Sequence, residues 1–282
     1  MAPLGERETT GPLTLGDMVA RSGLPHLEAR ILLGFVLNRT RAELITASAE
    51  PVSELHRSSF CSLAARRKLG EPIAYLVGRR EFYSRDFKVS ADVLIPRPET
   101  ELLVERALGS LKTLKRPRIL DLGTGSGAIA ITLALEHEGA SVTGVDRSAA
   151  ALRCARENAE SLEADVRWIE SDWYRALGVE SFDLIVSNPP YVALDDPHLQ
   201  EGDVRFEPKM ALAAESNGLR ALWAVIDGAF SHLKPRGTLL VEHGFDQASR
   251  VRTRLAESGF LEIASWVDLA GIERVSGGIR PG

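Results

Sequence analysis

Apolar and polar positions follow two different periods along this 282-residue chain. From about Leu15 to Gly70 the pattern is that of short amphipathic helices. Gly23 and Pro25 mark the end of one helix and the start of the next. Thr40 with Glu43 forms a capping-box pattern before "LITA". Ser53 is placed to cap a longer helix through "ELHRSSFCSLAARRKL", with Gly70 just past its end. Helices of this kind predict a small bundle over residues 15–78. Arg66, Arg67 and Lys68 end the last of them, either as favourable charge at a helix C-terminus or as a contact for an acidic partner.

The pattern then changes. "EFYSRDFKVS" has two short β-type runs around a polar turn, which predicts a hairpin linker within residues 79–97. "PRPETELLVERAL" follows, with Pro98 suited to the first helical position. From Arg118 onward, strands alternate with helices. "RILDLG", "SVTGVD", "VRWIESD", "FDLIVSNPP" and "GTLLVEHG" are strands, and "LEIASWVDLAG" and "ERVSGGI" end the chain as an antiparallel edge hairpin. The alternation predicts an α/β domain over residues 98–282, with helices on both faces of one sheet.

Composition narrows the class. With 44 % hydrophobic and 26 % charged residues the chain can bury a substantial core. The net charge of −5 argues against a sequence-specific nucleic-acid partner, whose binding draws on a basic surplus. No apolar run approaches the roughly 20 residues of a membrane span. Residues 1–14 read as a loose polar tail without the features of a signal peptide. Cys61 and Cys154 read as buried small hydrophobes, consistent with a reducing cytoplasm, and no Cys/His spacing suggests a metal.

The chemistry begins in "DLGTGSGAIA", which closes the first strand of the sheet and opens a helix. Gly123, Gly125 and Gly127, with Thr124 and Ser126 between them, let a ligand approach backbone. Asp146 ends the next strand, where a carboxylate accepts hydrogen bonds from ribose hydroxyls. The pair predicts an adenosine-containing cofactor, and the loop alone fits NAD(H) as well. Asp121 favours S-adenosyl-L-methionine, because a carboxylate there repels pyrophosphate and attracts the cationic sulfonium and amino acid part. Asp172 or Trp173, after the third strand, is placed to meet the adenine.

"FDLIVSNPPY" decides the reaction. An amide or aryl amine nitrogen is a poor nucleophile because its lone pair is delocalised. Two acceptors off the plane of the NH₂ group make the nitrogen more pyramidal and turn that lone pair toward a methyl donor. The Asn188 side-chain oxygen and the Pro189 carbonyl are suitable acceptors, and the two prolines hold them rigidly. Asn188, Pro189, Pro190 and Tyr191 sit beside the cofactor pocket, where Tyr191 can stack on the flat substrate group. Methyl transfer from a sulfonium needs no metal.

Together with "GEPIAYLVGRREFY", "VLIPRPETELLVE", "FEPKMAL" and "VEHGFDQ", these motifs resemble the peptide chain release factor glutamine methyltransferases from about residue 15 to the C-terminus. The resemblance implies a seven-stranded, Rossmann-like class I methyltransferase domain behind a helical substrate-recognition domain. It also implies methylation of the glutamine in the Gly-Gly-Gln motif of release factors, with S-adenosyl-L-homocysteine as product. Carried over, Gly123 to Gly127 contact the methionine part, Asp146 the ribose and Trp173 the adenine. Asn188 touches both cofactor and glutamine, Pro189, Pro190 and Tyr191 form the substrate pocket, and Glu99 and Thr100 of "PRPET" cover the cofactor. A monomeric, cytoplasmic enzyme is expected. The competing readings are a glutamine methyltransferase for a large-subunit ribosomal protein, a DNA adenine amino methyltransferase, and a nicotinamide dehydrogenase that would leave "NPPY" unexplained.

Overall fold

The computed structural model describes residues 13–194, 196–200, 202–214 and 218–282; the expected tail lies outside them up to residue 12. The chain divides into two compact units, Met1–Val77 and Gly78–Gly282.

The first unit is helical, with α1 (Leu15–Arg21), α2 (His26–Leu37), α3 (Arg41–Thr46), α4 (Glu54–Lys68) and α5 (Ile73–Val77). The capping box of Thr40 and Glu43 forms as the sequence predicts, and Ser53 caps α4. A second capping box, Thr14 with Asp17, starts α1. Leu15, Met18, Leu32, Leu33, Leu44, Phe60 and Leu76 share one core. Each large apolar side chain fully buried there contributes about 1.5–3 kcal/mol. In the basic cluster at the end of α4, Arg66 and Lys68 are exposed, while Arg66 and Arg67 pair with carboxylates of the same unit. Arg67 makes two 2.8 Å hydrogen bonds to Glu28 of α2, and Arg66 bonds Glu71 at 2.7 Å. Cys61 does not join the core. It is exposed, because α4 turns Phe60 and Ala64 inward and leaves the neighbouring position facing water. Cys154, later in the chain, is only half-buried.

The second unit opens with the hairpin β1 (Arg79–Phe82) and β2 (Arg85–Lys88). Tyr83 and Ser84 both have positive φ, the backbone of a two-residue hairpin turn. Phe82 and Phe87 are buried in the core beneath α6 (Glu101–Leu111). Pro98 starts the tight turn that leads into α6. Next come β3 (Arg118–Leu122), α7 (Ala128–Glu136), β4 (Ser141–Asp146), α8 (Ala149–Ser161), β5 (Val166–Glu170) and β6 (Phe182–Ser187). A two-residue ladder joins β7 (Val192–Ala193) to β8 (Ala213–Ala214), with α9 (Lys209–Leu212) just before β8. The chain ends with α10 (Arg220–His232), β9 (Leu233–Glu242), α11 (Ala248–Glu257), β10 (Leu261–Val267) and β11 (Glu273–Ile279).

The main sheet has seven strands in the order β10-β11-β9-β6-β3-β4-β5. The five central and far-edge strands are parallel, and β10 and β11 form the antiparallel end. Side chains alternate between its faces. Leu184 and Val186 of β6 join the core under α6 and α7, whereas Ile185 joins the core under α10 and α11. After β5 the chain returns across the sheet to place β6 on the other side of β3. That reversal leaves a crevice beyond the carboxyl ends of β3 and β6, where ligands bind in open α/β sheets.

Candidate active site

The cofactor-loop residues, the carboxylates near them and the Asn-Pro-Pro-Tyr motif sit at or just past the carboxyl ends of strands of the main sheet, and Glu99 and Thr100 lie in the turn before α6. Asp121 lies near the end of β3 and Gly123 to Gly127 follow it, Asp146 ends β4, Asp172 and Trp173 follow β5, and Asn188 to Tyr191 follow β6. The glycine loop is held by β4: the N–H groups of Gly123 and Thr124 donate to the Val145 carbonyl at 2.8 and 2.9 Å. Gly125 has φ +56° and nothing near where a Cβ would stand, so the loop presents bare backbone to open space. Gly127 differs. A Cβ there would come within 2.9 Å of both Ile131 and Trp168, so this position packs the helix start against the sheet. Asn158 of α8 braces the loop by donating to the Ser126 carbonyl at 2.9 Å.

Two carboxylates flank this cradle. Asp146 accepts from the Gly125 N–H and the Ser148 N–H, both at 2.9 Å, so it shapes the loop as well as facing it. Each of its oxygens keeps a further acceptor site. Asp121 is fully buried. It accepts from the Thr124 hydroxyl at 2.6 Å, while its Oδ1 has no hydrogen-bond partner. Burial pushes its carboxyl up to about 7, against the pull of the Thr124 hydroxyl and the Ala130 N–H. An orphaned buried acceptor beside an open glycine loop fits a ligand that brings a cationic donor. Trp173, at φ +52°, forms a wall beside Gly123, within 3.7 Å of where a Cβ would stand. Asp172 is instead half-exposed and paired with Arg175 at 3.1 Å.

Asn188, Pro189 and Tyr191 line a cavity of about 50 Å³ with Leu94, Arg97 and Leu212. The Asn188 Nδ2 donates to the buried Thr100 hydroxyl at 3.1 Å. That bond occupies the donor end of the amide and leaves Oδ1 to accept from another group. Tyr191 is fixed at both ends. Its hydroxyl donates to Glu242 at 3.1 Å, and its carbonyl accepts from Gln247 at 2.9 Å.

Comparison with known proteins adds the family to this geometry. Residues 18–78 match the PrmC N-terminal domain and residues 98–201 the Methyltransferase small domain. The release factor glutamine methyltransferase of Bordetella pertussis is 52 % identical over 94 % of this chain and 98 % of its own length. The chain belongs to the release factor glutamine methyltransferase family. A second member, from Salmonella typhimurium, is 47 % identical over 91 % of this chain and 93 % of its own. A methyltransferase from Pyrococcus furiosus shares the fold, with a TM-score of 0.53 at 18 % identity over 77 % of this chain and 98 % of that one.

In this family member, two site residues, Glu207 and Glu242, carry no role in the sequence reading. Glu207 of "FEPKMAL" is fully buried, forms an ion pair with Arg97 of "PRPET", and accepts from the Ile95 N–H at 3.1 Å. It therefore pins the loop that lines one side of the cavity. Burial pushes its carboxyl up, and Arg97 opposes the shift. Glu242 of "VEHGFDQ" is 1 % exposed under Tyr191. The available signal is a glutamate closing an otherwise apolar run, "LLVE". Thr100 lies under Asn188, whereas "PRPET" suggests a cofactor cover; Glu99, beside it, is exposed. Among the described residues no cluster of His, Cys, Asp and Glu could hold a metal ion, and no helix is long and apolar enough to cross a membrane.

Proposed function

We propose that this protein transfers one methyl group from S-adenosyl-L-methionine to the side-chain amide nitrogen of the glutamine in the Gly-Gly-Gln motif of peptide chain release factors. The observation that carries the reading is Asn188, whose Nδ2 is engaged by Thr100 at the wall of a cavity that suits a carboxamide. The name shared by its relatives supports the same substrate.

S-adenosyl-L-methionine, when bound, supplies an electrophilic methyl group on a sulfonium. The glycine loop and the orphaned Asp121 Oδ1 suit its amino acid part, Asp146 its ribose, and Trp173 its adenine. Asn188 Oδ1 and the Pro189 carbonyl accept the two hydrogens of the glutamine NH₂ from outside its plane. The lone pair is thereby released from amide resonance. Tyr191, held by Glu242, confines the flat carboxamide. These groups are positioned before the substrate arrives, so little reorganisation is left for the reaction itself.

A three-residue loop cannot supply a specific interface, which takes ~800 Å² from each partner. The helical unit is proposed as the second contact with the release factor. On α2, Leu27, Ile31 and Phe35 are spaced four residues apart, and all three are exposed. The test is mass spectrometry of a purified release factor incubated with this protein and the cofactor. One added methyl group on the Gly-Gly-Gln glutamine is expected. An unmodified factor under conditions where adenine in DNA is methylated would reject the substrate.

A further inference from the structure

A side-chain amide has two orientations related by a half-turn, nearly equal in shape and opposite in hydrogen-bonding sense. The reaction assigned above needs Asn188 with Oδ1 toward the substrate and Nδ2 away from it. Thr100 receives Nδ2 at 3.1 Å, but a hydroxyl both donates and accepts, so it would serve the flipped amide equally well. Something must commit the hydroxyl proton elsewhere. Glu242 is placed for this. In the β6–β9 ladder Ser187 faces Val241, so Asn188 and Glu242 are the next residues along two adjacent parallel strands. Glu242 accepts the Tyr191 hydroxyl on Oε1, its Oε2 has no hydrogen-bond partner, and the Thr100 hydroxyl faces the carboxylate and favours its charged form.

We propose that Glu242 is a positioning residue that, through the Thr100 hydroxyl, fixes which end of the Asn188 amide faces the substrate, while holding the Tyr191 ring over the same cavity. The proposal rests on the glutamine methyltransferase reading. An ionised carboxylate can only accept. With Glu242 ionised, both hydroxyls donate to it, and Thr100 can then only accept from Asn188. A protonated Glu242 could donate to Thr100 instead. The Thr100 proton would then be released toward Asn188, and the flipped amide would present NH₂ to NH₂. The groups facing Glu242 are Thr100 and Glu99 in the turn before α6, Tyr191 after β6 and Arg274 on β11; the neutral-leaning His243 follows it just past the end of β9. Arg97 faces Tyr191. Burial pushes the Glu242 carboxyl up to about 7, so the switch between the two states falls near neutral pH.

The test is steady-state methylation of the intact release factor between pH 6 and 8.5, for wild type, Glu242→Gln, Thr100→Val, Thr100→Ser and the double variant Glu242→Gln/Thr100→Val. Thr100→Val and Glu242→Gln should each lower kcat by about 10- to 100-fold, the range for one misdirected preorganised group. KM for the cofactor should stay within about threefold of wild type. Thr100→Ser should recover most of what Thr100→Val loses, because the hydroxyl returns. The double variant should be little worse than either single one, since both break one chain of bonds. Wild-type kcat should fall toward acid pH, and Glu242→Gln should flatten that limb. Full kcat in Thr100→Val, additive losses in the double variant, or an unchanged acid limb in Glu242→Gln would each overturn the proposal. Thr100→Val keeps the shape of the site, so it decides the matter even if Glu242→Gln folds poorly. A wild-type enzyme inactive on the release factor would reject the substrate reading, and the proposal with it. That outcome is distinct from an active wild type with unaffected variants.

Discussion

Replacing Asp121 by asparagine tests the cofactor reading where it makes a quantitative demand. The carboxyl is fully buried with one oxygen unpartnered, and its pKa is raised from 3.8 to about 7. A rise of about three units corresponds to about 4 kcal/mol of destabilisation of the charged form. Between those pH values the folded protein keeps a proton that the unfolded chain has already given up. Stability without cofactor is therefore lost as pH rises from about 4 to about 7. Asp121→Asn keeps the bond with Thr124 and removes the charge, so its melting temperature should exceed that of wild type at pH 8 and match it more closely at pH 5. Binding of a cationic cofactor reverses the preference, because the positive charge favours the ionised carboxylate. At pH 6 a group with a pKa of about 7 is only about one-tenth ionised. The wild-type affinity for S-adenosyl-L-methionine should then drop about tenfold from pH 8 to pH 6 through Asp121 alone. Calorimetry at both pH values, in buffers of different ionisation enthalpy, measures the affinities and the protons released. The cofactor's own amino group and Glu242 titrate in the same range, so the quantity that counts is the difference between wild type and Asp121→Asn. Identical pH slopes and identical proton release in the two proteins would refute the argument that Asp121 is held for a cation.

Four further outcomes are expected. Asn188→Ala should lower turnover by about 10²–10³ while cofactor affinity changes little, as measured by single-turnover kinetics and calorimetry. Asp146→Ala should weaken cofactor binding by about 1–3 kcal/mol, read as a smaller ligand-induced rise in melting temperature; NAD(H) should produce no rise in either protein. Glu207→Ala leaves Arg97 and the Ile95 N–H without their buried acceptor and should cost about 3 kcal/mol in urea unfolding. Phe35→Glu on the exposed face of α2 should raise KM for the intact release factor and leave the slow reaction of a short Gly-Gly-Gln peptide unchanged.

Much of this protein is written in signals a few residues long. Helical and strand periods, the Thr40–Glu43 capping box and the Ser53 cap depend on neighbours within one turn, and they stand in the structure where the sequence predicts them. The strand–glycine loop–helix of residues 118–136 and the Asn-Pro-Pro-Tyr segment are equally local. The alternation of strands and helices then leaves few ways to order the sheet. The burial of side chains off the main periodic face is less local, and Cys61 shows it: its place depends on which face α4 turns to its neighbours.

What only the tertiary structure decides is the set of partners behind the motifs. Asn188 meets Thr100 from 88 positions away, Glu207 meets Arg97 from 110, and Tyr191 meets Glu242 from 51. The Tyr191–Glu242 pairing follows from the order and register of strands in the sheet, with β6 beside β9, whereas the other two bring the turn before α6 to the end of β6 and to the loop that carries Glu207. A glutamate at the end of an apolar strand looks the same in sequence whether it faces water or a buried tyrosine. The difference lies in desolvation, and desolvation is set by everything packed around the residue rather than by its neighbours along the chain.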